Sequence, residues 1–147
     1  MDEIDHRIVA LLRENARRSF QDIGEHVSLS APAVKRRVDR LEASGVIRGY
    51  AANVDPSAIG WDTHAFVELF CEGRMSGEEV SAAVAEYPEV EAAYTIAGAP
   101  SAILHLRASD TQHLEQALER IRETKGVIRT QTQVVLSTLF ERRVIDA

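Results

Sequence analysis

The chain has little that could cross-link it or bind a soft metal ion. Cys71 is its one cysteine, so an internal disulfide and a zinc site made of several thiolates are both excluded, and we expect its side chain to pack in the core. Five histidines show no metal-ligand spacing and are interpreted as surface or partly buried side chains: His6, His26, His64, His105 and His113. The sequence therefore predicts no metal site and no cofactor.

The chain also lacks the features of membrane proteins, secreted proteins and common enzyme classes. It has no run of about 18 apolar residues, and its acidic start, Met1-Asp2-Glu3-Ile4-Asp5, is unlike the basic start of a signal peptide. A glycine-rich phosphate loop, a nucleophile elbow and a His-Glu zinc pair are all missing from the sequence. We therefore expect a cytoplasmic protein that is not an enzyme and that has no membrane partner.

Positive charge is scarce overall, but it is unevenly spread. The net charge of −6 at pH 7 argues at first sight against nucleic-acid binding. Residues 1–50, however, hold nine Lys/Arg against eight Asp/Glu, whereas residues 51–147 hold eight against fifteen. Five of those nine bases fall within residues 30–50, together with two acids. Because local charge decides DNA binding more than the total does, this segment is compatible with a DNA contact.

Hydrophobic periodicity predicts three short helices in the first 45 residues. The first runs from about residue 2 to 14, with an apolar stripe at Ile4, Ile8, Leu11 and Leu12. Ser19 begins the second, in which Gly24 indicates that another helix passes close by. Residues 28–29 make a turn, Ser30 caps the third helix, and Gly45 ends it.

The third helix projects a basic ridge. With Val34, Val38 and Leu41 facing inward, the side chains most nearly opposite are Pro32, Arg36 and Arg40. In a helix-turn-helix protein, this part of the second helix of the motif meets base edges in the major groove, and arginine suits guanine or phosphate. The predicted DNA contacts are Ser30, Pro32, Ala33, Lys35, Arg36, Arg37, Arg40 and Arg48.

A charge run is more often a solvated helix face than a binding site, so the charges alone leave both interpretations open. Two short capped helices joined by a tight turn favour DNA binding. Residues 46–50 add a predicted short strand that carries a basic side chain, Arg48, as in a winged variant of the motif. We therefore expect double-stranded DNA to be a partner.

The remainder of the chain changes to a βαββαβ pattern. The turn-rich residues 55–60 predict a hinge, so the expected domains are 1–50, a linker at 51–61, and 62–147. Strands are predicted at 63–71, 90–97, 102–108 and 127–136, with one helix ending at Pro88 and another capped by Asp110 or Thr111. The predicted fold class is α+β: a winged helix-turn-helix followed by a ferredoxin-like βαββαβ domain.

The two helices of this second domain leave the other face of its sheet bare. That face would carry Phe66 and Phe70 or, on the other parity, Val67 and Leu69. A sheet that is apolar on both sides predicts a partner sheet, and a twofold homodimer is the simplest solution. A dimer would also bring two recognition helices to two half-sites.

End to end, the chain resembles the Lrp/AsnC (leucine-responsive, feast/famine) regulators. Asp2-Glu3-Ile4-Asp5 resembles their opening helix, residues 29–42 and 45–50 match their recognition helix and its exit, and the second domain resembles their amino-acid-metabolism regulatory domain. The resemblance implies a dimer, often assembled into an octamer or open helical array, that binds DNA and responds to an amino acid. It also implies an effector site between paired domains, near the turn that joins the second and third strands.

At that turn the sequence departs from the family pattern. Where the family commonly has glycine-aspartate-tyrosine-aspartate, this chain has Gly98-Ala99-Pro100-Ser101. Gly98 would let backbone amides approach a ligand carboxylate, but both acids that could bind an ammonium group are missing. Either acids or carbonyls of a neighbouring subunit complete the site, or the protein behaves independently of a ligand. If an amino acid binds, we expect an apolar or aromatic one, because the loss of the acidic turn leaves a less polar wall. Thr130 and Thr132 alternate into one face of the last strand, where they either line this pocket or serve as ordinary strand residues.

Two other functions are compatible with the layout. Siroheme decarboxylases share it and are enzymes; in such an enzyme His64 or His105 would be an acid-base or heme-facing group, and the ridge at Arg36 and Arg40 would have no role. An architectural protein that coats DNA would bind an operator and a random duplex with similar affinity. The basic ridge favours the sequence-specific regulator.

Overall fold

The protein divides into two compact units. The computed structural model describes residues 1–73 and 75–140, and their contacts cluster into Met1–Asn53 and Val54–Leu139. Within these residues, no helix has the length and apolar character needed to cross a bilayer.

The first unit is a three-helix cluster, formed by α1 (Glu3–Glu14), α2 (Phe20–Val27) and α3 (Ala31–Ala43). Local capping sets where the helices begin: Asp2 and Asp5 form a reciprocal capping box, and the Ser19 hydroxyl accepts a hydrogen bond from the Asp22 amide. One apolar stripe from each helix is buried, and together these stripes make the core: Ile8, Leu12, Ile23, Val27, Val34, Val38 and Leu41.

The strand predicted at residues 46–50 is wrong, because the structure has no regular element there. The amides of Val46 and Ile47 both donate to the Leu41 carbonyl, at 3.0 and 3.1 Å, and so close the end of α3 instead of pairing with another strand. The Tyr50 hydroxyl donates to Glu42 at 2.9 Å, which holds this exit segment beside α3.

The second unit has the predicted βαββαβ order. Its elements are β1 (Thr63–Cys71), α4 (Gly77–Val84), β2 (Val90–Thr95), β3 (Ala102–Ala108), α5 (Thr111–Arg122) and β4 (Val127–Val134). The strands form one antiparallel sheet in the order β2-β3-β1-β4. α4 ends at Val84, before the end predicted at Pro88, since the Tyr87 amide already donates to the Val84 carbonyl. β2 and β4 each end two residues earlier than predicted.

The helices settle which parity of the sheet is buried. Ala65, Val67 and Leu69 face α4 and α5, whereas Phe66 and Phe70 lie on the opposite, open face. Every second residue of β3 is also fully buried on the helix face: Ala102, Leu104, Leu106 and Ala108. The small and branched residues thus form the core, and the large aromatic ones are left for the open face.

A buried acid ties α5 to the segment before β2. Glu89 is 3% exposed, and its carboxylate accepts hydrogen bonds from His113 at 2.8 Å and from Arg120. Burial alone would raise the pKa of Glu89, but these hydrogen bonds and the charge of Arg120 outweigh it and hold the pKa below its usual value.

Candidate nucleic-acid interface and effector site

The turn between α2 and α3 depends on the absence of a side chain at Gly24. A Cβ there would lie 2.3 Å from the Leu29 carbonyl oxygen, and the Leu29 amide donates to the Gly24 carbonyl at 3.0 Å. Ser28 ends α2 in the left-handed conformation, with φ of 54°. The predicted close neighbour of Gly24 is therefore the backbone that leads into α3, and this contact sets the angle between the two helices.

The outer face of α3 carries the predicted DNA contacts. Pro32, Lys35, Arg36 and Arg40 are exposed, opposite the buried stripe, whereas Ala33 is half-buried. Ser30 is the N-cap residue, but its side chain makes no capping hydrogen bond, so its hydroxyl is available at the exposed start of the helix. Arg48 is exposed on the exit segment that follows.

Acids within the first unit neutralise part of this ridge. Lys35 pairs with Asp39 one turn along α3 at 2.6 Å, and both side chains are more than half exposed. Arg37 pairs with Asp2 and Asp5 of α1, and Arg40 pairs with Asp5. Among the residues that the structure describes, Arg36 has no such ion pair, which leaves its guanidinium ready for an external partner.

Asp5 is a buried anion beside the candidate interface, and it was not among the residues predicted from the sequence. It is 2% exposed. Burial alone would raise its pKa, but hydrogen bonds from Arg37 and from the Asp2 amide, with the charge of Arg40, keep the pKa below its usual value. The signal was in the spacing: Asp5 precedes Ile8 and Leu12 by three and seven residues, which places it on the buried stripe of α1.

The turn predicted to bind an effector carboxylate already uses some of its polar groups in hydrogen bonds to β1. The Ser101 amide donates to the Leu69 carbonyl at 2.7 Å, and its hydroxyl accepts from the Cys71 amide at 3.2 Å. A Cβ on Gly98 would lie in ordinary van der Waals contact with Ile96 and Pro100, each at 3.9 Å, so a side chain there would meet no clash. Gly98 and Ala99 are exposed, and Pro100 is half-buried.

Thr130 and Thr132 lie on the helix face of β4, near the same end of the sheet. Leu69 of β1 pairs with Thr130 of β4 on one side and with Ala102 of β3, beside the turn, on the other. The turn and Thr130 are therefore separated by two strand spacings, about 10 Å. Arg122 Nε donates to the Thr130 hydroxyl at 3.1 Å, whereas the Thr132 hydroxyl is buried without a hydrogen-bond partner. The structure thus brings the predicted effector residues to one end of β1 without joining them in one pocket.

A groove of about 430 Å³ lies between α5 and Val134 at the end of β4, and neither threonine lines it. Leu114, Leu118 and Val134 make its apolar wall. Glu115 and Arg122 also line it, seven residues apart on α5. An apolar wall with one anion and one cation matches the chemistry of an apolar zwitterion.

The open face of the sheet is mixed rather than wholly apolar. Phe66 and Tyr94 are 42% and 58% exposed, but the Phe66 ring stacks on His105 with centroids 4.8 Å apart, and Arg129 lies over the Phe70 ring at 3.7 Å. Exposed apolar side chains therefore alternate with polar ones on this face, so a partner sheet would have to match polar groups as well.

Two of the five histidines meet on this face. His64 Nδ1 and His105 Nε2 are 3.1 Å apart, and His105 Nδ1 lies 3.0 Å from Glu91. No sequence pattern predicts this pair, because the two histidines are 41 residues apart and only the register of β1 with β3 brings them together.

The chain matches known family models over both of its units. Residues 1–42 match the AsnC-type helix-turn-helix domain, and residues 64–145 match the Lrp/AsnC ligand binding domain. The chain belongs to the Lrp/AsnC family. An Lrp/AsnC protein is a transcriptional regulator with a helix-turn-helix and a ligand-binding domain, which confirms the predicted fold class and the resemblance from which it was drawn.

Individual Lrp/AsnC relatives are similar over nearly the whole chain. The HTH-type transcriptional regulator Rv2324 of Mycobacterium tuberculosis is 52% identical over 142 residues, 97% of this chain and 96% of that protein. The feast or famine regulatory protein Rv3291c of M. tuberculosis, solved with L-methionine, is 34% identical with a TM-score of 0.88, over 97% and 96% of the two chains. NMB0573 of Neisseria meningitidis, also an L-Met complex, is 26% identical with a TM-score of 0.88, over 99% and 96%.

Proposed function

We propose that this regulator binds double-stranded DNA sequence-specifically in the cytoplasm, with α3 in the major groove. The observation that carries the proposal is the exposed basic ridge that follows a turn fixed by Gly24. Arg36, which has no ion pair among the described residues, is suited to base edges, and Arg40 to phosphate. The other proposed contacts are Ser30, Pro32, Ala33, Lys35 and Arg48. Arg37 was also predicted as a contact, but Asp2 and Asp5 hold its guanidinium, so we propose no phosphate contact for it.

Selection from a library of random duplexes tests sequence preference without knowledge of the operator. The full chain is expected to enrich one recurrent motif with two inverted half-sites about one helical turn apart, because two recognition helices of a twofold dimer would bind it. Arg36→Ala is the matched variant, and enrichment should weaken at a defined position in each half-site. An unbiased pool after several rounds would point instead to an architectural protein that coats DNA.

We further propose that residues 62–147 form the regulatory and assembly domain, joined by a linker at 51–61 to a DNA-binding domain at 1–50. Residues 141–147 lie outside the described part of the chain. The open face of the sheet is proposed to pair two chains, because Phe66 and Tyr94 are exposed there. Dimers would then assemble further, to an octamer.

The dimer proposal predicts that residues 62–147 sediment as a dimer or larger species at micromolar concentration. In the full chain, Phe66→Glu should shift the protein toward monomer, because it places charge in the apolar part of the open face. Ile59→Glu changes an exposed apolar residue away from the sheet and is the matched control. A folded, stable monomer of residues 62–147, or equal association of both variants, would contradict this use of the face.

The effector is proposed to be a free apolar or aromatic amino acid. Its carboxylate would meet the turn at Gly98, Ala99, Pro100 and Ser101, with Thr130 and Thr132 lining the site and a neighbouring subunit completing the ammonium contacts. Two considerations support this: Lrp/AsnC structures solved with methionine share the fold, and a desolvated zwitterion needs partners for both charges. The turn offers no carboxylate of its own.

Calorimetry across the twenty amino acids tests this assignment. At least one apolar or aromatic amino acid should bind. Gly98→Val should abolish its binding, because a branched side chain would fill the path by which the ligand carboxylate approaches the turn, while DNA affinity without ligand stays within a fewfold. Ala82→Val, at an exposed position of α4, adds bulk elsewhere and is the control. Binding of none of the twenty would rule out the amino acid, and unchanged binding by Gly98→Val would move the site away from the turn.

The His64–His105 pair is the one observation that favours a siroheme decarboxylase of the same layout. Against it stand the basic ridge and relatives named as transcriptional regulators. Anaerobic incubation with siroheme discriminates the two: we expect no turnover, and decarboxylation would replace the regulator with the enzyme.

A further inference from the structure

The carboxylate of Asp5 is the point where α1 meets the recognition helix. Asp5 Oδ1 accepts from Arg37 Nη1 at 2.8 Å and from Arg40 Nη2 at 3.1 Å, and Oδ2 accepts from Arg40 Nη2 at 2.9 Å and from the Asp2 amide at 3.1 Å. Asp2 adds a second carboxylate to Arg37, at 2.6 Å. Two acids of α1 therefore face two arginines of α3, and the formal charge of this cluster is zero.

The two arginines are held differently. The Arg37 side chain is 24% exposed and bound to two carboxylates, whereas the Arg40 side chain is 62% exposed and is held through one terminal nitrogen. Charge-assisted hydrogen bonds to a buried carboxylate are strong, so phosphate competes poorly for Arg37. Arg40 has N–H groups besides those of Nη2, and the exposure of its side chain leaves them accessible to phosphate.

We infer that Asp5 is a specificity-determining residue: it withholds the charge of Arg37 from DNA and fixes the orientation of Arg40, so that indiscriminate attraction to phosphate stays weak. The inference rests on the proposed DNA binding by α3. Non-specific affinity grows with the number of cations that meet phosphates, whereas specificity comes from base contacts. Neutralising Arg37 lowers the first contribution and leaves Arg36, the proposed base-reading residue, untouched.

Asp5→Asn in the full chain tests the inference, because asparagine keeps the size of the side chain and removes its charge. Affinity for a random duplex is expected to rise about fivefold to tenfold at 0.1 M salt, and the slope of log affinity against log salt to steepen by about one unit. Affinity for the selected operator should rise less, so the ratio of operator to random affinity falls. A role in folding alone would lower both affinities together.

Asp22→Asn is the matched control, since it makes the same change in net charge and removes an acid that pairs with Arg18 away from α3. Asp2→Asn is a second test that preserves the helix start, because asparagine caps helices as well as aspartate does. It should steepen the salt slope in the same direction, by less. Circular dichroism of all variants gives the folded fraction by which the affinities are scaled.

Each outcome bears on the inference. The inference is supported if the salt dependence of random-duplex affinity is steeper in Asp5→Asn and Asp2→Asn and unchanged in Asp22→Asn. Unchanged or proportionally lower binding by both α1 variants overturns it while leaving the proposed function intact. Equal affinity of the wild type for operator and random duplex overturns the proposed function, and the specificity role of Asp5 with it.

Discussion

Gly24→Ala is expected to lower the free energy of unfolding of the first unit by about 2–3 kcal/mol, even though alanine is the better helix former. The new methyl group would lie 2.3 Å from the Leu29 carbonyl oxygen, far inside contact distance, and the neighbour is backbone that no rotamer change can move. The clash can be relieved only if the turn shifts. That shift weakens the hydrogen bond from the Leu29 amide to the Gly24 carbonyl and changes the orientation of α3.

Hydrogen exchange read by mass spectrometry measures this effect in the full chain, because it resolves α1–α3 from the second unit. Protection of their amides should fall about 30- to 150-fold, and protection of β1–β4 should not change. Glu25→Ala, at the next and exposed position of α2, is the control and should stay within about 0.5 kcal/mol of the wild type. Equal protection of Gly24→Ala and Glu25→Ala would show that the turn tolerates a side chain.

The second large effect is expected at Arg36, and it should differ in kind from the effect at Arg40. Arg36→Ala should cost about 1–3 kcal/mol on the selected operator and relax the base preference at one position, because a bidentate base contact is lost. Arg40→Ala should weaken binding to all duplexes and flatten the salt slope by about one unit, because a phosphate contact is lost.

Fluorescence anisotropy on operator and random duplexes, at several salt concentrations, separates the two roles. Lys35→Ala serves as a comparison, since Lys35 is exposed but already paired with Asp39. The division of labour would be contradicted if Arg36→Ala and Arg40→Ala each lost the same factor on operator and on random DNA. A flatter salt slope for Arg36→Ala alone would exchange the two assignments.

Local signals predicted most of the fold. The starts of α1, α2 and α5 follow from Asp2, Ser19 and Asp110, whose side chains cap amides within one turn of the helix. The strand at residues 46–50 could not be judged this way, because a strand exists by pairing and those amides return to Leu41 instead. Similarly, both alternations of β1 contain large apolar residues, and only the position of α4 and α5 selects the buried one.

The placement of the candidate site residues was predictable where it depends on one helix face, and not where it depends on contacts between two elements. The exposure of Arg36 follows from the periodicity of α3 alone. The occupation of Arg37 by Asp2 and Asp5 spans more than 30 residues of sequence, and no spacing rule within α3 contains it. The contacts of Ser101 with β1 were missed for the same reason, because the sequence of a turn does not show which strand it packs against.

The central claim, that this Lrp/AsnC regulator reads base sequence through α3, is tested most directly by one ratio. The dissociation constants of the full-length wild type for its selected duplex and for a shuffled duplex of the same composition are measured at 0.15 M salt. We expect the selected duplex to bind at least about 10³-fold more tightly, as specific DNA-binding proteins do. Dissociation constants that agree within a fewfold would contradict the claim.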